Sequence, residues 1–458
     1  MCWHRRIRME PLSLKQIADR LGTAAPLDAQ ITAVSTDTRQ LPEGCLFLAL
    51  RGARFDGHDF VQQAIEAGAV AAVTDTQIGD LPCLVVEHTG QALLDIASLY
   101  REQFGIPLVG VTGSVGKTTT KEMIACVLSE KFNTLKTAQN LNNEIGMPKT
   151  LFGLTKEHGA AVIEMGMNHF GEISRMSSSA KPTMAVITNI GYSHIEHLGS
   201  QEGILKAKLE MLEGMKDDAP LIVSADDPML CDLQKKLKRP VLTYSVTPDH
   251  VGVDVYADDI KEDDGVTTFT IHHAEHSILA VLPTVGIHNV KNALAAYIVG
   301  IIAGMTPQEI VCGLAKYQPT GNRQNIMEKN GQTVIADCYN ASPDSMRAAL
   351  SVLGGYQCTG RKIAVLGDML ELGEHSEVLH AKVGEMAKNA GIDMLFCYGS
   401  AAKGIAANAG DALEIFCTED AQELAAKLQE TLKEGDCVLF KASHGMHLEH
   451  TIEAIYPA

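Results

Sequence analysis

Short apolar runs separated by segments of helical length are the dominant pattern of this chain. Each run is continuous rather than alternating, which is typical of parallel strands that are buried on both faces. The alternation of such runs with helices predicts a doubly wound α/β sheet. The runs occupy residues 107–112, 160–164, 184–188, 221–224 and 241–244.

A smaller region precedes this central sheet. It mixes a short amphipathic helix at 14–21, a strand-like run at 45–50 and glycine-rich turns, which predicts a small α/β domain. A helical segment at 92–104 then leads into the central sheet.

A breaker cluster, Gln318-Pro319-Thr320-Gly321, separates the central region from a third one. The strand-like runs that follow it predict a Rossmann-like domain. These runs occupy residues 333–336, 362–366, 394–398 and 437–441. We therefore predict three domains, at residues 1–88, 89–319 and 320–458.

The charge balance argues against two classes of partner. With 38 basic and 56 acidic residues, the net charge of -18 disfavours nucleic acid and anionic membrane surfaces. A ligand that carries phosphate must therefore be bound by local positive groups rather than attracted by the overall charge of the protein. No run of 18 apolar residues occurs, so we expect no membrane insertion.

The cysteines and the N-terminal residues indicate the cellular compartment of the protein. Eleven cysteines are scattered without a C-x-x-C pair, which favours the reduced thiols of a cytoplasmic protein over a disulfide framework or a zinc site. Residues 1–8 are basic, but the apolar segment of a signal peptide does not follow. We interpret them as an extension, with Met9 as an alternative start.

The segment Thr112-Gly113-Ser114-Val115-Gly116-Lys117-Thr118-Thr119 follows a predicted strand and begins a predicted helix, as a phosphate-binding loop requires. Loop amides and the helix N-terminus can bind phosphates, with Lys117 as a point charge and Thr118 as a magnesium ligand. The first glycine stands two residues nearer to the Gly-Lys pair than in the standard spacing, so the loop is a variant. A glycine-rich turn with an exposed lysine is the structural alternative.

Further candidate groups follow two other predicted strands. Glu164 ends one of them, where nucleotide-binding folds often place a metal-binding carboxylate. Residues 189–197 follow another, and their His194 is a candidate metal ligand at the carboxyl edge of the sheet. Lys206 and Lys208 lie on a predicted helix, where the simplest interpretation is a solvated face.

Together these segments resemble the Mur ligase family, and the resemblance covers nearly the whole chain. It implies ATP-driven amide formation through an acyl phosphate. It also implies that Lys117 contacts the phosphates and that Thr118 and Glu164 bind one magnesium ion. His194 would bind a second magnesium ion, and Lys208 aligns with a lysine that family members carry as a carbamate near that metal.

Other segments extend the implied site. Residues 286–293 resemble the family pattern G-x-H-N-x-x-N-A, in which Asn289 would contact adenine; a capped helix start is the structural alternative. Arg323 resembles the arginine that the third domain brings to the phosphates, and Asp337 would lie nearby. The implied ATP contacts are Gly113, Ser114, Val115, Gly116, Lys117, Thr118, Thr119, Asn289, Arg323 and Asp337.

Several stretches resemble the branch of the family that adds D-alanyl-D-alanine to UDP-N-acetylmuramoyl-tripeptide. Residues 35–60 resemble a UDP-binding domain that this branch shares with the enzymes for the third residue. Residues 140–148, 164–173, 337–346 and 365–373 favour the dipeptide branch. The implied substrate contacts are Ser35, Asp37, Arg39, Asn142, Asn143, Tyr339, Asn340 and Ser342.

Two positions depart from the family pattern. Ser342 replaces the second asparagine of Y-N-A-N-P, and His444 stands where K-G-S-R-G-M has arginine. Histidine lacks the permanent charge and planar fork of arginine, so dipeptide preference would differ if that arginine contacts substrate.

The resemblance implies a monomer whose three mobile domains bring together ATP, two magnesium ions, the UDP precursor and the dipeptide. One alternative is a sister ligase that adds the third-position diamino acid. A folylpolyglutamate-synthase-like enzyme is disfavoured by residues 35–60. A nucleotide-regulated binding module would bind ATP without forming an amide. Lysine and meso-diaminopimelate are both compatible as the third residue of the precursor.

Overall fold

The computed structural model describes residues 9–52, 55–247, 252–319 and 324–457. These residues form three α/β domains, each built on its own sheet. Among them, no helix is both long and apolar enough to cross a bilayer.

The N-terminal domain contains a four-stranded parallel sheet and a two-stranded antiparallel ribbon. Its elements are Leu12–Ser13 (β1), Leu14–Leu21 (α1), Gln30–Ile31 (β2), Ala33–Ser35 (β3), Cys45–Leu48 (β4), Val61–Glu66 (α2), Ala71–Thr74 (β5) and Cys83–Val85 (β6). The four-stranded sheet has the order β3-β4-β5-β6, and Phe47 and Val61 pack in the core on one side of it.

A nine-stranded sheet forms the central domain. Its first elements are Thr89–Arg101 (α3), Leu108–Thr112 (β7), Lys117–Leu128 (α4), Thr134–Lys136 (β8), Gly146–Leu151 (α5), Ala160–Glu164 (β9), Glu172–Ala180 (α6), Met184–Ile187 (β10), Ile195–Leu198 (α7) and Gln201–Leu209 (α8). The remaining elements are Leu221–Ser224 (β11), Leu233–Lys236 (α9), Val241–Ser245 (β12), Val255–Asp263 (β13), Val266–His273 (β14), His276–Leu282 (β15), Ile287–Ile302 (α10) and Pro307–Leu314 (α11).

The strand order of this sheet determines where a site can form. The order is β15-β14-β13-β12-β11-β10-β7-β9-β8, so β10, β7 and β9 are parallel neighbours in the middle of the sheet. Helices α4, α10 and α11 cover one face, and α3, α5, α6 and α8 cover the other. The loops after β7, β9 and β10 therefore meet at one carboxyl edge, where ligands bind in such folds.

The C-terminal domain is a six-stranded sheet with helices on both faces. Its elements are Asn325–Lys329 (β16), Gln332–Ala336 (β17), Pro343–Gly355 (α12), Lys362–Gly367 (β18), Ser376–Lys388 (α13), Met394–Tyr398 (β19), Lys403–Asn408 (α14), Glu414–Thr418 (β20), Ala421–Thr431 (α15), Cys437–Lys441 (β21) and Leu448–Ile455 (α16). The strand order is β16-β17-β21-β18-β19-β20, and only β16 is antiparallel to its neighbour among the described strands.

The predicted buried strands are all present, and α1, β9, β11, β19 and β21 have the predicted bounds. The antiparallel extension β13–β15 was not predicted. Its strands alternate between buried and exposed positions, and β13 carries several charged residues, so the continuous apolar signal is missing there.

Candidate active site

A cavity of about 350 Å³ lies at the carboxyl edge of the central sheet. The loops after β7, β9 and β10 form one wall, and Asp337, Tyr339 and Lys441 of the C-terminal domain form the opposite wall. The cavity therefore joins two domains, and its polar groups converge from both.

The predicted phosphate loop forms the floor of the cavity. Gly113 and Gly116 have φ angles of 152° and 83°, a region that favours glycine, and α4 begins directly after them at Lys117. The Lys117 Nζ donates to the Gly113 carbonyl at 2.8 Å. Ser114, Val115, Gly116, Lys117 and Thr119 line the cavity, whereas Gly113 and Thr118 lie beneath this surface.

The loop after β10 holds the phosphate loop in place. The Val115 amide donates to Asn189 Oδ1 at 2.9 Å, and Thr188 Oγ1 donates to the Val115 carbonyl at 2.6 Å. The Gly191 amide donates to Ser114 Oγ at 2.9 Å. Because β7 and β10 are neighbours, these contacts fix the loop backbone before any ligand binds.

Glu164 is the centre of a buried polar cluster at the end of β9. Its Oε2 accepts a hydrogen bond of 2.8 Å from Thr118 Oγ1, and its Oε1 accepts one of 2.8 Å from Asn142 Nδ2. The fully buried Lys121 Nζ lies 3.9 Å from the same Oε2 and donates to the Thr137 carbonyl at 2.8 Å. Two oxygen ligands for a hard cation thus lie side by side.

His194 and Lys208 lie near this cluster but in different settings. His194 lines the cavity, and its Nδ1 lies 2.7 Å from Oε2 of Glu371 in the C-terminal domain. Lys208 is buried on α8, where desolvation and the nearby Lys117 hold its pKa well below the ordinary value. The expected solvated face is therefore wrong for Lys208, whereas Lys206 on the same helix is exposed.

Asn289 and its neighbours border the other end of the cavity. Its Nδ2 donates to the Val285 carbonyl at 2.7 Å and to Gln324 Oε1 at 2.9 Å. Helix α10 is preceded by Gly286 without a side-chain cap, so Asn289 does not cap it. Burial lowers the pKa of His288, whose Nε2 lies 3.0 Å from Gln324 Oε1. Arg323 lies outside the described residues.

The C-terminal wall carries an ion pair between a buried lysine and a partly exposed aspartate, and a helix cap. Asp337 Oδ2 accepts a hydrogen bond of 2.5 Å from Lys441 Nζ, which also donates to the Asn340 carbonyl at 3.1 Å. Ser342 is the N-cap of α12, and its side chain accepts a hydrogen bond from the Ser345 amide. The Tyr339 and His444 rings stack with centroids 5.8 Å apart.

The N-terminal candidates do not reach this cavity. Ser35 Oγ donates to the Asp37 carbonyl at 2.9 Å, in the loop that follows β3. Hydrogen bonds from Arg39 lower the pKa of Asp37 to about 2, with a smaller effect from Lys149 of the central domain. Of the predicted substrate contacts, Asn142, Asn143, Tyr339, Asn340 and Ser342 do line the cavity.

Two residues next to the site were not predicted from the sequence. Lys121 follows Lys117 by one helical turn, so its spacing could have indicated a position close to the phosphate loop. Glu371 belongs to a distant domain, and no local pattern connects it with His194.

The fold and the cavity define an α/β protein with a phosphate-binding loop, and comparison with known proteins identifies the family. The chain matches the Mur ligase family catalytic domain over residues 30–97, the Mur ligase middle domain over 111–300, and the Mur ligase glutamate ligase domain over 322–444. The chain belongs to the Mur ligase family.

Two relatives that align over nearly the full length of the chain belong to one branch of this family, the UDP-N-acetylmuramoyl-tripeptide--D-alanyl-D-alanine ligases. The UDP-N-acetylmuramoyl-tripeptide--D-alanyl-D-alanine ligase of Bacillus subtilis is 39% identical over 96% of this chain and 97% of the relative. The Escherichia coli ligase of the same name is 38% identical over 98% and 99%.

Solved structures agree with these sequence matches. MurF from Acinetobacter baumannii superposes with a TM-score of 0.90 at 33% identity, covering 98% of this chain and 99% of that one. The MurF ligase from Thermotoga maritima, solved in complex with ADP, has a TM-score of 0.84 at 30% identity over 92% and 96%.

Proposed function

We propose that this chain is an ATP-dependent ligase that joins D-alanyl-D-alanine to UDP-N-acetylmuramoyl-tripeptide in peptidoglycan precursor synthesis. The observation that carries the proposal is the single cavity in which the phosphate loop and Glu164 face the Asp337–Lys441 wall. The relatives that bear this activity in their names align over 96% and 98% of the chain, at 39% and 38% identity.

The reaction proceeds in two steps. A carboxylate oxygen at the end of the tripeptide attacks the γ-phosphorus of ATP, the bond to the β-phosphate oxygen breaks, and ADP leaves. The dipeptide amine then attacks the acyl carbon of the resulting acyl phosphate, phosphate leaves, and the amine loses a proton. Lys117 and the loop amides stabilise the charge on the transferred phosphoryl group.

Magnesium fits the oxygen ligands of the cluster around Glu164. Among the described residues, no group of three or more histidine, cysteine or acidic side chains is placed to bind a metal ion. Magnesium is usually bound by one or two carboxylates together with substrate phosphates. Thr118 and Glu164 would therefore supply enough protein ligands, and ATP and water would supply the others. His194 would serve a second ion, and such ions neutralise phosphate charge during transfer.

Lys208 is suited to carbamate formation. Its burial favours the neutral amine, and only a neutral amine can attack carbon dioxide. The Nζ forms a bond to the carbon and releases a proton, which leaves an anionic group where a buried cation would be costly. We propose that this carbamate orients the second metal position together with His194.

The remaining predicted contacts complete the proposal. Ser35, Asp37 and Arg39 bind the UDP end, and Asn289 lies near the adenine. We assign Arg323 a role in binding the phosphates, and we place the domain boundaries near residues 88 and 319. The precursor and ATP are both nucleotides of the cytosol, where we place the enzyme as a monomer.

A comparison of amines tests the proposal. Purified enzyme is given ATP, magnesium and UDP-N-acetylmuramoyl-tripeptide with D-alanyl-D-alanine, and phosphate release and the mass of the product are measured. We expect equimolar phosphate and a product with two additional alanines. Turnover only with the UDP-linked dipeptide precursor and a diamino acid would establish the sister ligase instead, and ATP binding without amide formation would establish a binding module.

A further inference from the structure

The loop that follows β18 in the C-terminal domain reaches across to the central domain. It runs from Asp368 to the 3-10 turn Gly373–His375. Glu371 Oε2 of this loop lies 2.7 Å from His194 Nδ1. A Cβ added at Gly373 would lie 3.0 Å from Glu196 Cγ, so the loop and the turn at 194–198 are closely packed.

The contact gives the two nitrogens of His194 different surroundings. The Nδ1 atom is buried and lies 2.7 Å from Glu371 Oε2 without the alignment of a hydrogen bond, so the contact is an ion pair; His194 lines the cavity, whereas Glu371 does not. A carboxylate at this distance constrains the imidazole ring from the Nδ1 side and leaves the opposite edge, which carries Nε2, for the cavity side. This is the arrangement by which carboxylates orient histidines that bind metals.

Both partners adopt an unusual backbone conformation. His194 has a φ of 63° and Glu371 a φ of 62°, in the left-handed region that non-glycine residues seldom occupy. Such residues are strained and persist where the surrounding structure imposes the conformation, often at functional sites. Two strained residues from different domains are thus directed at each other.

An ordinary surface ion pair does not explain this geometry. Exposed ion pairs contribute little stability, which does not offset the strain of two left-handed residues. The neighbouring Glu374, whose side chain is 91% exposed, comes only within 4.0 Å of His375 and illustrates such a pair. In the Glu371 contact one partner is exposed to 51%, but the other, His194, is only 17% exposed.

We propose that Glu371 is a positioning residue for the ligation reaction, which orients the His194 imidazole toward the cavity from the C-terminal domain. This inference rests on the proposed function, because it is there that His194 serves the second metal position. Docking of the C-terminal domain completes that position, so metal binding and domain closure are coupled. When the domain is undocked, His194 lacks its carboxylate and binds metal weakly.

Three variants test the proposal. Glu371→Ala removes the carboxylate, Glu371→Gln retains an oxygen acceptor without the charge, and Glu374→Ala is the matched control in the same loop. Mn²⁺ binding is measured by electron paramagnetic resonance with a non-hydrolysable ATP analogue, and the half-saturating Mg²⁺ concentration is measured during turnover. Loss of a carboxylate behind a metal-bound histidine typically weakens metal binding about 10- to 100-fold.

We expect Glu371→Ala to weaken the second Mn²⁺ site by about 10- to 100-fold, Glu371→Gln to be intermediate, and Glu374→Ala to match the wild type. In a His194→Ala background, Glu371→Ala should have no further effect on Mn²⁺ binding. Wild-type metal binding by Glu371→Ala, or additive effects of the two substitutions, would overturn the proposal. Circular dichroism verifies folding, and Glu371→Gln supplies the test if the alanine variant does not fold.

The same experiment separates this inference from the proposed function. If the wild type forms the amide in a Mg²⁺-dependent way and Glu371→Ala is unaffected, only the inference fails. If the wild type forms no amide, the proposed function fails before the variants are compared.

Discussion

Lys117 and Lys208 carry the same side chain in opposite environments. Lys117 lines the cavity at the beginning of α4, whereas Lys208 is buried on α8. The first can remain a cation that binds phosphate, and the second favours the neutral amine. Their different surroundings account for the different chemistry proposed for each.

Replacement of Lys117 tests the phosphate loop. Lys117→Ala should reduce ATP-dependent phosphate release about 100-fold or more, because one preorganised charge on the transferred group is lost. Lys131→Ala, beyond the opposite end of α4, should behave as wild type. Near-normal turnover of Lys117→Ala would reject the phosphate-loop assignment.

Replacement of Lys208 tests the carbamate. Lys208→Ala should lose most activity, and short carboxylates such as acetate should restore part of it by occupying the space that the carbamate leaves. Wild-type activity should fall in buffer freed of carbon dioxide and recover with bicarbonate. Lys206→Ala is the control, since Lys206 is exposed on the same helix. An unaffected Lys208→Ala enzyme would contradict the carbamate.

The sequence identified candidate site residues more reliably than it predicted whether their side chains are buried or exposed. Lys117, Thr118 and Glu164 could be predicted because each ends a buried strand or lies in the first turn of a helix. The burial of Lys208 could not be predicted, since a helix with lysines at positions 206 and 208 usually presents both to solvent. The Glu371–His194 contact could not be predicted either, because it depends on how two domains pack against each other.

At the scale of elements, the junction of β7 and α4 depends on the absence of a side chain. A Cβ at Gly113 would lie 1.8 Å from Thr188 Oγ1, and the φ of 152° is unfavourable for other residues. The loop after β10 therefore packs directly against the phosphate loop. This close packing of two neighbouring loops fixes the phosphate-loop side of the cavity.

Substitution of this glycine should disturb nucleotide binding without unfolding the domain. We expect Gly113→Ala to weaken ATP binding about tenfold or more, since strain of about 1–3 kcal/mol must displace the loop. Gly105→Ala is the matched control, because a Cβ there meets nothing within 4 Å. Calorimetry measures both affinities, and equal values would contradict the packing argument.

The buried parallel strands could be predicted because both faces are covered and the apolar runs are continuous. The hairpin strands β13 to β15 could not, because β13 and β15 each leave much of one face to solvent. This difference in burial explains why the core of the central sheet was recognised and its antiparallel edge was not.

The cavity lies between the central and C-terminal domains, so a ligand that binds in it should stabilise the folded protein. ATP with magnesium at about 100 times its dissociation constant should contribute about 2.7 kcal/mol to the folded state. We expect the melting temperature of the central domain to rise by about 5–10 °C. Differential scanning calorimetry measures the shift, and an equal rise in Lys117→Ala would contradict a site at the phosphate loop.

Transfer of an oxygen atom tests the central claim most directly, namely that this cavity activates a carboxylate with ATP. The terminal carboxylate of the UDP-N-acetylmuramoyl-tripeptide is labelled with ¹⁸O, the enzyme is given ATP, magnesium and D-alanyl-D-alanine, and the released phosphate is analysed by mass spectrometry. The acyl-phosphate route predicts one ¹⁸O atom in each phosphate, because the attacking oxygen leaves with phosphorus. Unlabelled phosphate accompanied by amide product would contradict it.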